Sequence, residues 1–248
     1  MPPRTRDLVW DGCLNVRDLG GLPTENGGRT RFGSVIRADS VGLLSPDGWQ
    51  ALLETGVTRI VDLRGQVEID EDPPRGSDVE VVHVPVLDHF DEETWEEIRA
   101  LSEAATSHAA ATELVYLRFV EQCRPSFVSA VEAVATAPGP VVVHCYGGKD
   151  RTGLVAAILL RLAGVPAEVI AEDYALSALR LEPRHRRWIA DAQDEAERAR
   201  IERITATPGD AMRAVLDSLD RKYGGVDRYL LDGGLAPDVL EAARSRLR

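Results

Sequence analysis

The chain holds 248 residues, 44% of them hydrophobic, and 41 acidic side chains outnumber 29 basic ones for a net charge of −12. A nucleic-acid-binding protein or one docked constitutively on an anionic bilayer needs a positive surface, so this balance excludes the first and argues against the second. The length suits one domain spanning 1–248 with a substantial core, and no apolar run reaches the length that crosses a membrane.

In chain order, residues 1–7 (MPPRTRD) carry no apolar signal core, and three cysteines in all suit a reducing compartment. A cytoplasmic protein is expected, with export lacking a cleavable signal as the alternative. Residues 15–21 (NVRDLGG) are turn-rich and read as a loop. Short runs rich in valine and isoleucine predict strands at 34–37, 58–63, 79–86 and 140–144. Ser45-Pro46-Asp47 reads as an N-cap followed by a first-turn proline, Pro125 opens a helix that runs to 137, and 70–76 is the clearest loop. A charged helical stretch spans 91–123, and from Ala167 onward the chain reads as helical. This alternation predicts an α/β fold: a central, mostly parallel sheet flanked by helices, with a helical C-terminal part. Within that part, 183–206 holds six arginines and little apolar material beyond Trp188, Ile189, Ile201 and Ile204. It reads as a helical lid weakly tied to the core or as a solvated pair of surface helices.

The densest chemistry lies at 144–153 (HCYGGKDRTG), between apolar residues 141–143 and a second apolar run at 154–162. That context gives a buried strand, a tight loop and a helix. Loop N–H groups and the positive end of the helix then face inward and form a cup for an anion of phosphate size. Cys145 stands at its base. Helix N-termini and nearby cations favour a thiolate, and here the helix start, Lys149 and Arg151 supply both. Tyr146, Gly147, Gly148, Lys149, Thr152 and Gly153 complete the cup. Its glycines let the backbone approach an oxyanion, and the Thr152 hydroxyl is within reach of the sulfur. Arg151 offers a planar fork for two phosphate oxygens. Only Cys145 meets an arginine six positions on; Cys13 and Cys123 meet Leu19 and Ser129. The chain has 27 arginines but two lysines, so Lys149 inside the loop points to a compact charge being required there.

The string His-Cys-x-x-Gly-Lys-Asp-Arg-Thr-Gly resembles the signature of the cysteine-dependent protein tyrosine phosphatase superfamily. Its fuller form resembles the bacterial branch related to a secreted mycobacterial enzyme that acts on phosphoproteins and phosphoinositides. Residues 15–21, Asp62-Leu63-Arg64 and Tyr223-Gly224-Gly225 fit the same branch, so the resemblance runs as scattered motifs from about residue 8 to the C-terminus. It implies hydrolysis of a phosphomonoester through a phosphocysteine on Cys145, with Arg151 and the loop amides holding the equatorial oxygens and no metal or cofactor required. Phosphotyrosine on a protein, with dual specificity as a variant, is the leading substrate class. Phosphoinositides or other small phosphomonoesters come second, and a phosphate-reading pseudophosphatase without turnover is the non-enzymatic alternative. The branch carries a mobile helical lid after the catalytic helix, for which 183–206 would be the counterpart. Rhodanese-like sulfurtransferases commonly use a shorter Cys-x4-Arg loop, which the spacing here does not match.

The Trp-Pro-Asp acid loop of other tyrosine phosphatases is absent, which leaves two candidates for the general acid. Asp150 lies inside the loop, where the resembling branch has a proposed acid; otherwise it would hold Arg151 or Lys149. Asp88 sits in Leu87-Asp88-His89, similar to the acid loop of dual-specificity and lipid phosphatases; otherwise it would cap the acidic helix that begins near Asp91. Asp150 is preferred. His83, His89, His108, His144 and His185 show no metal-ligand spacing. His108 and His185 are expected to be exposed on helices, and His144 to bond the loop backbone. Arg17, Asp18 and Arg64 are read as an internal Asp–Arg network that pins the N-terminal segment to the sheet. Cys13 or Cys123 would trap an oxidised Cys145 only if folded against it.

Overall fold

The computed structural model describes residues 5–73 and 79–248. Strands β1 (Arg17–Asp18), β2 (Val35–Ala38), β3 (Arg59–Asp62), β4 (Glu80–His83) and β5 (Val141–His144) form one sheet in the order β1-β2-β5-β3-β4. It is parallel except for β1, which runs antiparallel to β2. The helices are α1 (Pro46–Glu54), α2 (Gln66–Glu71), α3 (Glu92–Ala104), α4 (His108–Gln122), α5 (Arg124–Ala135), α6 (Asp150–Leu162), α7 (Ala167–Ala190), α8 (Glu195–Thr205), α9 (Gly209–Tyr223), α10 (Val226–Asp232) and α11 (Pro237–Arg246). The expected α/β architecture with a helical C-terminal part is therefore present.

Strand alternation divides the core into two layers. Val141 and Val143 of β5 join Val35 and Val61 in the larger cluster, with residues of α4, α5, α6, α9, α10 and α11. Val142 joins Ile36 and Ile60 on the opposite face, against Trp10, Leu44 and Leu52. A strand buried on both faces reads as a continuous apolar run, which is why 141–143 is all valine. Ile36, Val142 and Ile60 are in register, so β2, β5 and β3 end at one level. Ligands bind in open α/β sheets at the carboxyl ends of the strands, and the 144–153 loop leaves β5 at that edge.

Ser45 caps α1 as its sequence suggests, its Oγ accepting from Gly48 N at 3.1 Å. Several boundaries differ. Asp70 and Glu71 belong to α2 rather than to a loop, and 74–76 of that expected loop lie outside the described residues. Residues 91–123 form two helices, because Asp91 caps α3 and Ser107 caps α4 with their own side chains. Pro183 does not open a helix. A buried stripe spaced three to four residues apart (Ile170, Tyr174, Ser177, Leu181) packs α7 as far as Leu181, and the helix continues through Pro183 to Ala190. The 183–206 segment is thus the end of α7 followed by α8.

Candidate active site

The loop after β5 is shaped by what holds its carbonyls. Ser40 N donates to Tyr146 O at 3.0 Å. Asn15 Nδ2 donates to Gly147 O at 3.2 Å and Gly148 O at 3.0 Å, and Arg37 Nη2 donates to Gly148 O at 2.8 Å. In a trans peptide the C=O and the following N–H point in opposite directions. Tying these carbonyls outward therefore turns the Gly147, Gly148 and Lys149 amides toward the inside of the cup. Gly148 is the glycine the geometry demands: its φ is +62°, and a Cβ there would sit 2.3 Å from Ala38 O. At Gly147, by contrast, the nearest atom to an added Cβ is 3.9 Å away, so its small size is not required by packing. A Cβ added at Gly153 would sit 3.2 Å from the Tyr174 ring, so the glycine lets α6 pack close to α7. Lys149, at the N-cap of α6, makes no side-chain cap, which leaves the first amides of the helix available to an anion.

Cys145 is buried at the start of this loop, and Thr152 is fully buried with no hydrogen-bond partner for its Oγ1 among the described residues. His144 lies with Nδ1 3.4 Å from Cys145 O and Nε2 3.6 Å from Asp62 Oδ2. Burial pushes its pKa down despite Asp62, so it stays neutral beside the loop, as a backbone partner rather than a base. Tyr146 is exposed at the rim.

Arg151 meets a partner that the sequence did not point to. Its two terminal nitrogens grip Glu68 of α2: Nη2 to Oε1 is 2.7 Å, and Nη1 bonds Oε2. Glu68 Oε2 also accepts from Gly65 N at 2.8 Å. Burial lowers the guanidinium pKa, but Cys145, Glu68 and Asp150 outweigh it and hold it above its ordinary value. Burial likewise opposes ionisation of Glu68, and Arg151 reverses that. The fork is therefore permanently cationic and oriented from the side away from the helix start. A glutamate three residues after a strand-end glycine is a capping spacing, the one local signal that could have marked Glu68.

The two acid candidates differ in engagement. Asp150 Oδ1 accepts from Tyr116 OH at 2.5 Å and lies 3.2 Å from Lys149 Nζ; Tyr116 OH in turn is 2.8 Å from Tyr174 OH. Asp88 is exposed, and its Oδ2 accepts from Gln66 N at 2.9 Å. It thus tethers the start of α2, not the helix near Asp91 that its alternative role named. A cavity of about 220 Å³ borders Lys149, Asp150 and Arg151, walled by Leu87, Val115, Tyr116, Phe119 and Ile204. A neighbouring hollow joins Asp88 to Glu68 and Arg151. Lys149 borders the first cavity, and its Nζ bonds the carbonyls of Ile204 and Ala206 (the latter at 3.2 Å) at the end of α8. His185 is half-buried rather than exposed, stacked 5.6 Å from Trp188 and pushed down to about 4 by burial, Lys149 and Arg184.

Arg17, Asp18 and Arg64 are buried, as the network reading expected, but Arg17 pairs with Asp173 of α7 rather than with Asp18. Asp173 also takes Arg37 at 2.9 Å and Arg6. Arg17 Nη1 donates to Asn15 Oδ1 at 2.7 Å and thereby aims the Asn15 amide at the loop. Arg64 is held by Asp62 at 2.8 Å and Asp72 at 2.8 Å. Burial raises the pKa of Cys13, with Asp39 adding to it, and pushes the Cys123 thiol up to about 12. Both stay protonated, and Cys13 packs in the opposite sheet layer from Cys145.

A parallel sheet whose central strand feeds an anion cup containing a buried cysteine and a clamped arginine defines a phosphate-handling enzyme of the α/β class. The tyrosine phosphatase family profile matches residues 8–248, and the chain belongs to that family. It is therefore a phosphomonoester hydrolase whose substrate carries a phosphate ester. It is 30% identical over 232 residues to a tyrosine-protein phosphatase of Nostoc commune, covering 86% of this chain and 74% of the relative. It is 26% identical over 276 residues to the triple specificity protein phosphatase PtpB of Mycobacterium tuberculosis, covering 95% of this chain and 97% of the relative. No helix among the described residues is long and apolar enough to cross a membrane.

Proposed function

We propose that the protein hydrolyses phosphotyrosine on proteins, with Cys145 as nucleophile. The observation that carries this reading is the cup itself: a buried cysteine under a loop whose carbonyls are tied outward by Asn15, Arg37 and Ser40. The Cys145 sulfur attacks phosphorus in line and the ester oxygen leaves. Arg151 and the inward amides hold the equatorial oxygens, where charge is spread in the transition state. Thr152 Oγ1, buried with no hydrogen-bond partner among the described residues, is assigned to support the sulfur as a leaving group in the second step. Asp150 protonates the departing oxygen, then takes a proton from the water that frees phosphate from the phosphocysteine. Its place on the cavity whose apolar wall would hold the ester group favours it over Asp88, which lines the neighbouring hollow. The apolar wall of that cavity suits an aryl ring better than an inositol or a short serine side chain. Lys149 acts as a latch that holds the end of α8 over the cavity, which makes α8 the lid of the site.

Initial rates of phosphate release across phosphotyrosine and phosphoserine peptides, phosphoinositides and sugar phosphates test the substrate class. The phosphotyrosine peptides are expected to have the highest kcat/KM; a phosphoinositide or sugar phosphate at the top would overturn the assignment. Asp150→Asn is expected to cost about 10²–10⁴ in kcat on esters with poor leaving groups and far less on p-nitrophenyl phosphate, whose leaving group needs no proton. An equal loss on both substrates would remove Asp150 from the acid's role.

A further inference from the structure

A second hollow of about 440 Å³ borders Tyr146 of the loop and lies between the N-terminal segment, the turn at Val41–Leu43 and the last turns of α7. Four large hydrophobic side chains that are 36–43% exposed line it: Leu14, Leu43, Tyr146 and Trp188. Isolated exposed apolar residues need no explanation, but four in one hollow mark a contact surface. Two arginines of α7 stand in the same wall. Arg184 is anchored by Nη2 to the buried Asp39 at 2.6 Å, while its Nη1 has no partner among the described residues. Arg187 is exposed and makes no ion pair among the described residues, unlike Arg180 and Arg186 on the same helix. In a chain of net charge −12, the unpaired Arg187 beside this apolar hollow is set against the sign of the overall charge.

We propose that this hollow is the docking groove for the segment of a phosphotyrosine protein that flanks the phosphorylated residue. It takes an apolar side chain against Trp188 and Leu43 and an acidic one against Arg187. The proposal rests on the phosphotyrosine reading above. Tyr146 links the two sites, since it belongs to the phosphate loop and lines the groove, which puts the hollow next to a chain whose phosphate is in the cup. Charge complementarity names the acidic residue, and the apolar wall favours a peptide over a second phosphate of a lipid headgroup. The groove is built on a helix and a loop already fixed by Asp39 and Ser40, so it recognises an extended peptide without reorganising.

The test compares kcat/KM for three phosphotyrosine peptides that share one sequence except for acidic, neutral or lysine residues flanking the phosphotyrosine. The wild-type enzyme is expected to favour the acidic peptide over the neutral one by about tenfold, the effect of one charge-assisted contact. In Arg187→Gln that ratio falls to about one, and in Arg187→Glu it inverts in favour of the lysine peptide. The inversion is a gain that misfolding does not produce. Trp188→Ala raises KM for peptides with an apolar flanking residue. Equal rates on the three peptides, or a ratio unchanged in both Arg187 variants, would overturn the groove alone. Hydrolysis of p-nitrophenyl phosphate with no release from any phosphopeptide would overturn the protein-substrate reading, and the groove with it.

Discussion

Cys145→Ser is expected to lower phosphate release by about 10⁴-fold or more, to the level of the blank, while phosphopeptide binding survives. The substitution is small in volume and sits at a buried position whose neighbours, the amides of the loop and Arg151, do not depend on the sulfur for their placement. The cup therefore remains and still holds phosphate. What is lost is the nucleophile, since a hydroxyl without an adjacent base does not ionise near neutrality, and the imidazole of His144 lies with Nδ1 toward the backbone carbonyl of Cys145 rather than toward its side chain. Initial rates set beside calorimetric Kd values for one phosphotyrosine peptide separate the two effects. Activity within tenfold of wild type would mean that another group attacks phosphorus.

The second large effect concerns stability. Asp173→Ala is expected to destabilise the fold by about 3–5 kcal/mol, because it strands two fully buried arginines that share its carboxylate. Burial alone would raise the Asp173 pKa, but Arg17, Arg37 and Arg6 drive it well below the usual carboxylate range. With the folded-state pKa depressed, this contribution is complete above the unfolded-state value of about 4 and fades only as pH falls below it. The loss should accordingly be the same at pH 8 and pH 6, read as the shift in denaturant midpoint. Because Arg17 aims Asn15 and Arg37 holds Gly148 O, the variant should also loosen the loop and lose activity at temperatures where it is still folded. A shift under 1 kcal/mol would show that the arginines find other partners.

These two residues mark the limits of what the sequence alone discloses. Cys145, Arg151 and the glycines between them lie on one contiguous strand–loop–helix, so their chemistry is spelled out in ten consecutive letters. The valine run of β5 and the Ser45-Pro46 cap were equally local. Asp173 carries no such mark: it sits within a long charged helix and becomes a buried hub only because the sheet order brings β1 and β2 against α7. Glu68 and Tyr116 are likewise supplied by α2 and α4, and nothing near 150 in the chain points to either. For Lys149 the loop alone shows a compact charge but not α8, whose terminal carbonyls accept from its ammonium. The segment 183–206 stands apart by its composition, yet α7 continues through Pro183 to Ala190, so its first part belongs to that helix.

The most direct test of the central claim is rapid-quench mass spectrometry of the wild-type enzyme during turnover of a phosphotyrosine peptide, with peptide mapping of any adduct. One added phosphoryl group on the peptide containing Cys145, absent in Cys145→Ser, is the predicted result. Full turnover with no adduct on Cys145 at any quench time, or an adduct on a different residue, would contradict it.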